Sequence, residues 1–333
     1  MINKEKMSFV SIIVTYGNVD RYEGVVNTIE SVVDAGTKKV FLVDNGCHYS
    51  ISSKIKNQFS GFNIRVRRFE ENKGSAEGFS TGIKMVMEDA QVSGQTYILI
   101  LDDDVLLDRN FADRFLSINQ TLVESNKHVW SLFRKDRDET FANGYDRNIN
   151  YYYNSVAGFS LLRKSRKNFN SILNNISCPI FVPWAGLFIK KKDLVSIELP
   201  DPKFFVYEDD ADFSLNIRKQ EYKILRSPEL VLRENSKSWF ESDSKKSGYK
   251  IYYGGFANSG RFLYKVRNNI YLIRRNLVTN VFAFYTNVFI FIIAGFIKYG
   301  KFNKDGFTRL KLLCQAVTDG LRKNLGENKN WKL

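Results

Sequence analysis

Histidine and cysteine are scarce in this sequence, and each shortage excludes a class of site. Only 2 histidines and 3 cysteines occur among 333 residues. The cysteines Cys47, Cys178 and Cys314 are far apart and form no CxxC pair, so the sequence predicts neither a disulfide framework nor a cysteine zinc site. The only two histidines, His48 and His128, lie outside the acidic motifs described below, which argues against a histidine-based catalytic triad.

The N-terminus also has little that resembles a secretion signal. Lys4, Glu5 and Lys6 precede a short β-type run instead of the longer apolar core that a signal peptide needs. With so few cysteines, this leads us to expect a cytoplasmic protein.

Negative charge is scarce in the last third of the chain. Residues 241–333 contain 17 Lys and Arg against 5 Asp and Glu, a net charge of +12 out of +14 for the whole chain. Such a cationic region indicates an anionic partner, either nucleic acid or anionic lipid. No nucleic-acid-binding motif accompanies the charge, so we expect a membrane surface and no nucleic acid.

Short apolar runs alternate with helical patterns over the first hundred residues. This alternation predicts an α/β fold with a doubly wound sheet, whose ligands bind beyond the carboxyl ends of the strands. The predicted strands are Phe9–Tyr16, Lys39–Asp44, Ile64–Phe69 and Tyr97–Leu101, and the predicted helices are Tyr22–Asp34, Ile51–Phe59 and Ala76–Met87.

The pattern continues less regularly as far as residue 240. Helices are predicted at Phe111–Ser125 and Ala211–Gln220, and strands at Val129–Phe133, Ser155–Leu162, Phe181–Ile189, Phe204–Tyr207, Lys223–Leu225 and Leu230–Leu232. Beyond Trp239 the chain is rich in Tyr, Arg and Lys. We therefore predict two domains, residues 1–240 and a helical region at 241–333.

Three adjacent carboxylates, Asp102-Asp103-Asp104, lie between two apolar runs. Crowded carboxylates repel one another, and burial makes them harder to ionise. A divalent cation removes that cost, and Mg²⁺ or Mn²⁺ commonly links one or two carboxylates to substrate phosphates. The triplet predicts a metal–diphosphate site. The alternatives are a solvated acidic loop, or capping of the next helix by Asp108 and its neighbours.

A second acidic cluster follows the aromatic segment Phe204–Tyr207. The macrodipole favours acids at a helix N-terminus by less than ~1 kcal/mol each, which accounts for one or two of the four acids at 208–212. A carboxylate held there can also accept the proton of an incoming hydroxyl. Helix capping by Asp209 and base catalysis by Asp210 are compatible.

These motifs, in this order, resemble glycosyltransferase family 2, whose members are inverting transferases of the GT-A fold. The resemblance covers most of residues 8–240. In the family, the ends of two strands contact the nucleotide base; the residues here that resemble them are Val14-Thr15-Tyr16 and Val43-Asp44-Asn45. The family's Asn-x-Gly-x-Ala-x-Gly loop is matched here by Asn72 to Gly78. The triplet matches the family's DxD position, Trp184-Ala185-Gly186 its acceptor-side motif, and Asp209-Asp210-Ala211-Asp212 its catalytic motif.

The resemblance implies a role for each residue. Donor binding falls to Thr15, Tyr16, Asp44, Asn45, Asn72 and Gly74, with Asp103 at the ribose. Asp102 and Asp104 hold Mn²⁺ or Mg²⁺ and the diphosphate, and Asp210 is the catalytic base. Asp209, Gly186 and Trp184 lie on the acceptor side, with core packing as the alternative for Trp184.

One departure from the family concerns the third metal ligand. Many relatives have a histidine where this chain has Glu234, after Ser227-Pro228. A carboxylate suits Mg²⁺ or Mn²⁺, so Glu234 is a candidate ligand, and an ordinary surface acid is the alternative.

The C-terminal region contains a basic aromatic stretch, Arg261–Arg275, and the uncharged 22-residue run Asn276–Ile297. An amphipathic helix lying on the inner face of the cell membrane fits this composition. The alternatives are a helix packed in a core or a homo-oligomer interface, and a membrane-spanning helix.

The triplet and the Asp-Asp-Ala-Asp motif are most similar to bacterial galactofuranosyltransferases. This resemblance implies UDP-galactofuranose as donor and a lipid-linked or oligosaccharide acceptor in cell-surface polysaccharide synthesis. The alternatives are a dTDP-rhamnose rhamnosyltransferase and a non-catalytic nucleotide-binding scaffold of a membrane assembly.

Overall fold

The computed structural model describes residues 7–120, 127–135, 137–138, 140–161, 168–235, 248–254, 259–300 and 302–331. The chain forms two units. The first contains Met1–Asp146, Ser171–Pro200 and Phe213–Lys237, and the second contains Arg147–Asn170, Asp201–Asp212 and Ser238–Leu333. The second unit thus includes two segments that precede the predicted domain boundary at residue 240.

The first unit is built on a seven-stranded mixed sheet. In chain order the strands of the described residues are β1 (Phe9–Thr15), β2 (Val40–Asp44), β3 (Ile64–Arg68), β4 (Tyr97–Asp102), β5 (Val105–Leu107), β6 (His128–Ser131), β7 (Tyr145–Arg147), β8 (Phe169–Ser171), β9 (Leu187–Lys190), β10 (Lys223–Leu225) and β11 (Leu232–Glu234). The order in the sheet is β10-β6-β9-β4-β1-β2-β3. β1 pairs in parallel with β2 and β4, whereas β9 is antiparallel to β4 and β6.

Helices cover both faces of this sheet. Ile13 and Leu99 belong to one core cluster together with Ile29, and Ile12 and Ile100 belong to a second cluster with Ile83. The helices of this part of the chain are α1 (Tyr22–Asp34), α2 (Ile51–Gln58), α3 (Gly74–Glu88), α4 (Phe111–Asn119), α5 (Thr140–Asn143), α6 (Lys191–Leu194) and α7 (Asp209–Lys219); of these, α1 to α4, α6 and α7 contribute residues to the two clusters. The predicted α/β sheet flanked by helices is confirmed.

The strand register brings the predicted site residues to one edge of the sheet. Thr15 lies opposite Asp44, and Val14 lies opposite Asp102. Since β1, β2 and β4 are parallel, their carboxyl ends meet at this edge of the sheet, as expected for a ligand-binding edge.

Two predicted strands are absent from the described residues. Val156 and Phe159 form a single bridge around a tight turn with positive φ at Ala157 and Gly158, which reverses the chain and prevents a strand over residues 155–161. The predicted strand Phe204–Tyr207 is also wrong, because a 3-10 helix at Pro202–Phe204 is followed by left-handed backbone. The last predicted part of α4, residues 121–125, lies outside the described residues.

The second unit is mainly helical. Its helices are α8 (Gly248–Tyr253), α9 (Ser259–Asn276), α10 (Val281–Tyr299) and α11 (Lys304–Leu321). α9 and α11 pack so closely that a Cβ atom added at Gly320 would lie 2.4 Å from the carbonyl oxygen of Arg267. Among the described residues, α10 is the one helix long and apolar enough to cross a membrane.

Candidate functional site

The acidic triplet lies in a tight turn between β4 and β5, at the carboxyl end of β4. β5 pairs with β11, which places Glu234 opposite Val105, beside the triplet. The backbone N–H of Asn235 donates to the carbonyl of Asp104 at 2.8 Å, and its side-chain amide donates to the carbonyl of Gly24 at 3.3 Å. The turn is therefore attached to both α1 and β11.

Asp103 points inward from this turn and is 4% exposed. One carboxylate oxygen accepts a hydrogen bond from Thr15 Oγ1 at 2.5 Å, and the other pairs with the guanidinium of Arg21. Burial raises the pKa of Asp103, and the Arg21 charge opposes that rise. These contacts of Asp103 hold the turn in place. The predicted contact of Asp103 with the ribose stays a prediction.

Asp102 and Asp104 are only partly buried and are closer to solvent than Asp103. Burial, together with the charge of Asp104, raises the pKa of Asp102 to about 7, while Arg134 and Arg137 act in the opposite direction. Asp104 lies 3.6 Å from a guanidinium nitrogen of Arg21. A cation between these two carboxylates would favour the ionised form of both.

Glu234 has one paired and one unpaired carboxylate oxygen. Oε1 pairs with Arg134 and also lies 3.0 Å from Arg137. Oε2 is buried and accepts no hydrogen bond from the residues that the structure describes. A buried carboxylate oxygen without a donor is unfavourable, and a divalent cation is one ligand that would satisfy it.

The described residues contain no group of three or more His, Cys, Asp or Glu side chains that could hold a metal ion. Mg²⁺ and Mn²⁺ sites of one or two carboxylates completed by substrate phosphates do not need such a group. Asp102 and Asp104 alone would be enough for such a site, and Glu234, which is ion-paired with Arg134 and Arg137, stays a predicted third ligand.

The loop before α3 is held by a second polar cluster. Asn45 is 3% exposed; its amide nitrogen donates to Asn72 Oδ1 and to the carbonyl of Gly74, both at 3.1 Å. Asn45 Oδ1 accepts from the N–H of Lys73 at 3.0 Å. Gly74 has φ +83°, and a Cβ atom at Gly78 would lie 2.9 Å from Val14, so both positions favour glycine.

Asp44 is fully buried at the end of β2 and is bonded on both oxygens. Oδ1 accepts from the N–H of Cys47 at 2.8 Å, and Oδ2 accepts from Arg68 at 2.9 Å. Arg68 also donates to the carbonyls of Cys47 and Tyr49. Tyr16, by contrast, is 42% exposed just after β1, and its ring packs edge-on against that of His48 with 5.8 Å between centroids.

The two predicted acceptor residues of the first unit have structural contacts. Trp184 is 5% exposed, and its ring is stacked on Phe79 and on Phe213 with centroid distances of 4.8 and 4.9 Å. Because rings stack on it in this way, the contacts favour the core-packing interpretation over stacking on a sugar. Gly186 has φ +96°, and it donates to the carbonyl of Ile100 and accepts from the N–H of Leu132.

Asp209 and Asp210 begin helix α7 and belong to the second unit. Asp209 is 2% exposed. Asp210 is partly exposed, and its Oδ1 accepts from the N–H of Ala211 at 2.8 Å. The structure therefore places both predicted residues in the first turn of a helix, where their charges are favoured.

Sequence reasoning missed the arginines of the site. Arg21 pairs with Asp103, Arg68 with Asp44, and Arg134 with Glu234. These partners are 82, 24 and 100 residues apart along the chain, so no local spacing could reveal them. The sequence could indicate only that such partners exist, because a buried acid requires a cationic or hydrogen-bonding partner.

Comparison with known proteins supports the fold and the family that the sequence predicts. The sequence profile of the family described as glycosyl transferase family 2 matches residues 11–189. No curated protein sequence matches the chain significantly.

Two solved structures have similar folds. The structure of GalNAc-T7 with UDP, GalNAc and Mn²⁺ matches with a TM-score of 0.56 and 12% identity, over 96% of this chain and 57% of that one. The mannosyltransferase PcManGT from Pyrobaculum calidifontis, in complex with GDP-Man and Mn²⁺, matches with a TM-score of 0.50 and 12% identity, over 96% of this chain and 87% of that one. This chain therefore spans little more than half the length of GalNAc-T7.

Proposed function

Because the chain belongs to glycosyl transferase family 2, a family of glycosyltransferases, we propose that it transfers a sugar from a nucleotide-activated donor to an acceptor hydroxyl. The observation that carries this proposal is the family match together with the acidic turn at the carboxyl end of β4. The loop of Asn45, Asn72 and Gly74 lies at the same edge of the sheet and would contact the nucleotide.

The proposed cofactor is Mn²⁺ or Mg²⁺, held by Asp102 and Asp104 and by the free oxygen of Glu234. When bound, such an ion neutralises the negative charge that develops on the departing diphosphate. Both structural neighbours were determined with Mn²⁺ and a nucleotide or nucleotide sugar, which supports the same ligands here.

In the proposed reaction, Asp210 accepts the proton of the acceptor hydroxyl. The hydroxyl oxygen forms a bond to the anomeric carbon, and the bond between that carbon and the diphosphate oxygen breaks. Attack from the face opposite the diphosphate inverts the configuration, and the released nucleoside diphosphate retains the bonding electron pair.

For the donor we propose UDP-galactofuranose, with dTDP-rhamnose as the alternative. This choice rests on the resemblance of the triplet and of Asp209–Asp212 to bacterial galactofuranosyltransferases. The proposed acceptor is a lipid-linked or oligosaccharide hydroxyl in cell-surface polysaccharide synthesis.

We further propose that the second unit binds the surface of an anionic membrane. α10 exposes a continuous apolar stripe, with Phe282 82%, Phe289 65% and Ile297 64% exposed. An exposed lysine, Lys298, lies in the last turn of this helix, and exposed apolar and basic side chains continue after it at Phe302, Lys304, Phe307 and Lys311. Aromatic side chains beside lysines suit the interface between acyl chains and anionic headgroups.

The transferase proposal is tested with a panel of nucleotide sugars in the presence of MnCl₂. The panel contains UDP-galactofuranose, dTDP-rhamnose, UDP-GlcNAc and GDP-mannose, and release of the nucleoside diphosphate is measured. We expect one donor to be cleaved fastest and to raise the Tm most, because ligand binding stabilises by mass action.

Asp210→Asn separates a transferase from a scaffold. The variant should lose about 100-fold or more of the turnover, as expected for removal of a general base, while its affinity for the donor is unchanged. Asp113→Asn is the matched control, because Asp113 is an exposed acid in the first turn of α4. Wild-type turnover in Asp210→Asn would contradict the proposed chemistry, and donor binding without any turnover in the wild type would favour the scaffold.

A further inference from the structure

The segment that precedes Asp210 has an unusual backbone. Phe205, Tyr207 and Glu208 have φ values of +61°, +66° and +68°. This left-handed region is unfavourable for residues other than glycine, and bulky side chains rarely adopt it. Three such residues within four positions persist only if surrounding contacts hold them.

Asn268, from the middle of α9, supplies those contacts. Its side-chain nitrogen donates to three backbone carbonyls, those of Phe204 and Val206 at 2.8 Å and that of Tyr207 at 3.0 Å. Asn268 is fully buried. Carbonyls can only accept hydrogen bonds, so the nitrogen of the amide, and not its oxygen, must face the segment.

The orientation of this amide is fixed from its other side. Arg267 Nε donates to Asn268 Oδ1 at 2.9 Å, so the oxygen is also satisfied. The two hydrogens of the amide nitrogen are thus shared among three carbonyls while its oxygen accepts from Arg267, and neither Asp nor Leu, which are of similar size, offers both a donor and an acceptor in this way.

The next residue of α9 holds the end of the same segment. Asn269 Nδ2 donates to Glu208 Oε2 at 2.9 Å, and Asn269 Oδ1 accepts from the N–H of Ala157 at 2.6 Å. The carbonyl of Glu208 in turn accepts the N–H of Asp212 at 2.8 Å, which is a bond of the first turn of α7. Helix α7 therefore begins directly from the segment, with no intervening residues to absorb a change in its path.

We propose that Asn268 is a positioning residue for the catalytic base. Its amide holds residues 204–207 in their left-handed path, and that path sets the direction of the first turn of α7 and of the Asp210 side chain. This inference rests on the proposed function, because it assigns Asn268 an effect on turnover through Asp210.

The test compares Asn268→Asp with Asn276→Asp. Asn268→Asp keeps the shape of the side chain but replaces the amide nitrogen, which donates to the three carbonyls, with a carboxylate oxygen, which can only accept. Asn276 is the control, since it lies in the same helix and its amide donates to the carbonyl of Leu272 within that helix. Tm, donor affinity, and kcat and KM for cleavage of the fastest panel donor are measured with MnCl₂.

We expect Asn268→Asp to fold and to bind the donor with wild-type affinity, with KM unchanged and kcat lowered about 10- to 100-fold, because a displaced catalytic group has a cost of this size. Asn276→Asp should keep wild-type kcat. Asn268→Ala removes the donors without adding a charge, and its kcat should lie between those of Asn268→Asp and the wild type.

The inference is overturned if a folded Asn268 variant keeps wild-type kcat, or if donor affinity falls in parallel with kcat. It is also overturned if neither Asn268 variant folds, because the amide is then required for the fold alone. The proposed function fails separately if Asp210→Asn keeps its turnover. Loss of turnover in Asp210→Asn with normal Asn268 variants would refute the positioning role only.

Discussion

The three aspartates of the acidic turn have different environments although they are adjacent in sequence. Asp103 is buried and bonded to Thr15 and Arg21, whereas Asp102 and Asp104 are partly open to solvent. The inward aspartate therefore stabilises the turn, and the outer two can bind a ligand. A sequence of three identical residues could predict an acidic site but not this division, because it depends on an arginine 82 residues away.

Glu234 provides a test at the same scale. Replacing Glu234 with Ala leaves Arg134, which is 2% exposed, without its carboxylate. Breaking a buried ion pair in this way is expected to lower the free energy of unfolding by about 3 kcal/mol. Chemical denaturation measures the change. Glu229→Ala is the control, since Glu229 is an exposed acid in the preceding turn, and equal stability of the two variants would contradict this account.

At the scale of secondary structure, hydrophobic pattern predicted the first hundred residues well and the later ones unevenly. The strand Lys223–Leu225 was predicted with its observed limits, whereas the predicted strand Phe181–Ile189 is a strand only from Leu187 onward. Helix α1 was predicted with its observed limits, and β1 to β4 differ from prediction by one residue at an end. β1, β2 and β4 are largely buried, so their apolar runs are unambiguous, whereas β3 alternates apolar residues with exposed arginines. At Phe204–Tyr207 the same aromatic character accompanies left-handed backbone, which long-range bonds from Asn268 stabilise and local pattern does not encode.

The close packing of α3 on β1 gives a prediction for these elements. A Cβ atom at Gly82 would lie 2.4 Å from Cγ2 of Ile12, so Gly82→Ala must move the helix or the strand. We expect a loss of stability of about 1 to 3 kcal/mol, typical of an overpacked core. Gly61→Ala should be close to neutral, because no atom lies within 4 Å of a Cβ there. Thermal unfolding of both variants measures this loss. Equal Tm values for Gly82→Ala and Gly61→Ala would contradict the prediction.

At the scale of the whole molecule, the chain combines an α/β unit with a helical unit assembled from three separate segments. Composition predicted the helical character of the C-terminal region and its positive charge. It could not predict that residues 147–170 and 201–212 belong to the same unit, because that grouping depends on contacts distant in sequence. One such contact joins Asn154 Nδ2 to Thr279 Oγ1 at 2.9 Å.

The exposed stripe of α10 gives a prediction for the second unit. Phe282→Ser combined with Phe289→Ser should reduce binding to vesicles of phosphatidylglycerol and phosphatidylcholine at least about tenfold, because burying a Phe side chain contributes about 1.5 to 3 kcal/mol. Added salt should weaken wild-type binding by screening the lysines. Sedimentation with vesicles measures both effects.

Leu173→Ser combined with Val195→Ser is the control for this experiment. Both residues are exposed apolar residues of the first unit, at 72% and 71%, and their replacement should leave vesicle binding unchanged. If the wild-type protein does not bind vesicles but forms dimers, and the Phe282→Ser and Phe289→Ser substitutions dissociate these dimers, the exposed stripe of α10 is an oligomer interface.

The central claim is that Asp102 and Asp104 hold a divalent cation and, through it, the diphosphate of the donor. Calorimetric titration of UDP, GDP and dTDP, with and without MnCl₂, tests this claim most directly in the wild type, in Asp104→Asn and in Asp108→Asn. Asp108 is the matched control, because it is a neighbouring acid paired with Arg114. We predict Mn²⁺-dependent binding of one nucleotide in the wild type and in Asp108→Asn, and loss of that dependence in Asp104→Asn. Equal nucleotide affinity in the presence and absence of Mn²⁺, or an unchanged Mn²⁺ effect in Asp104→Asn, would contradict the account.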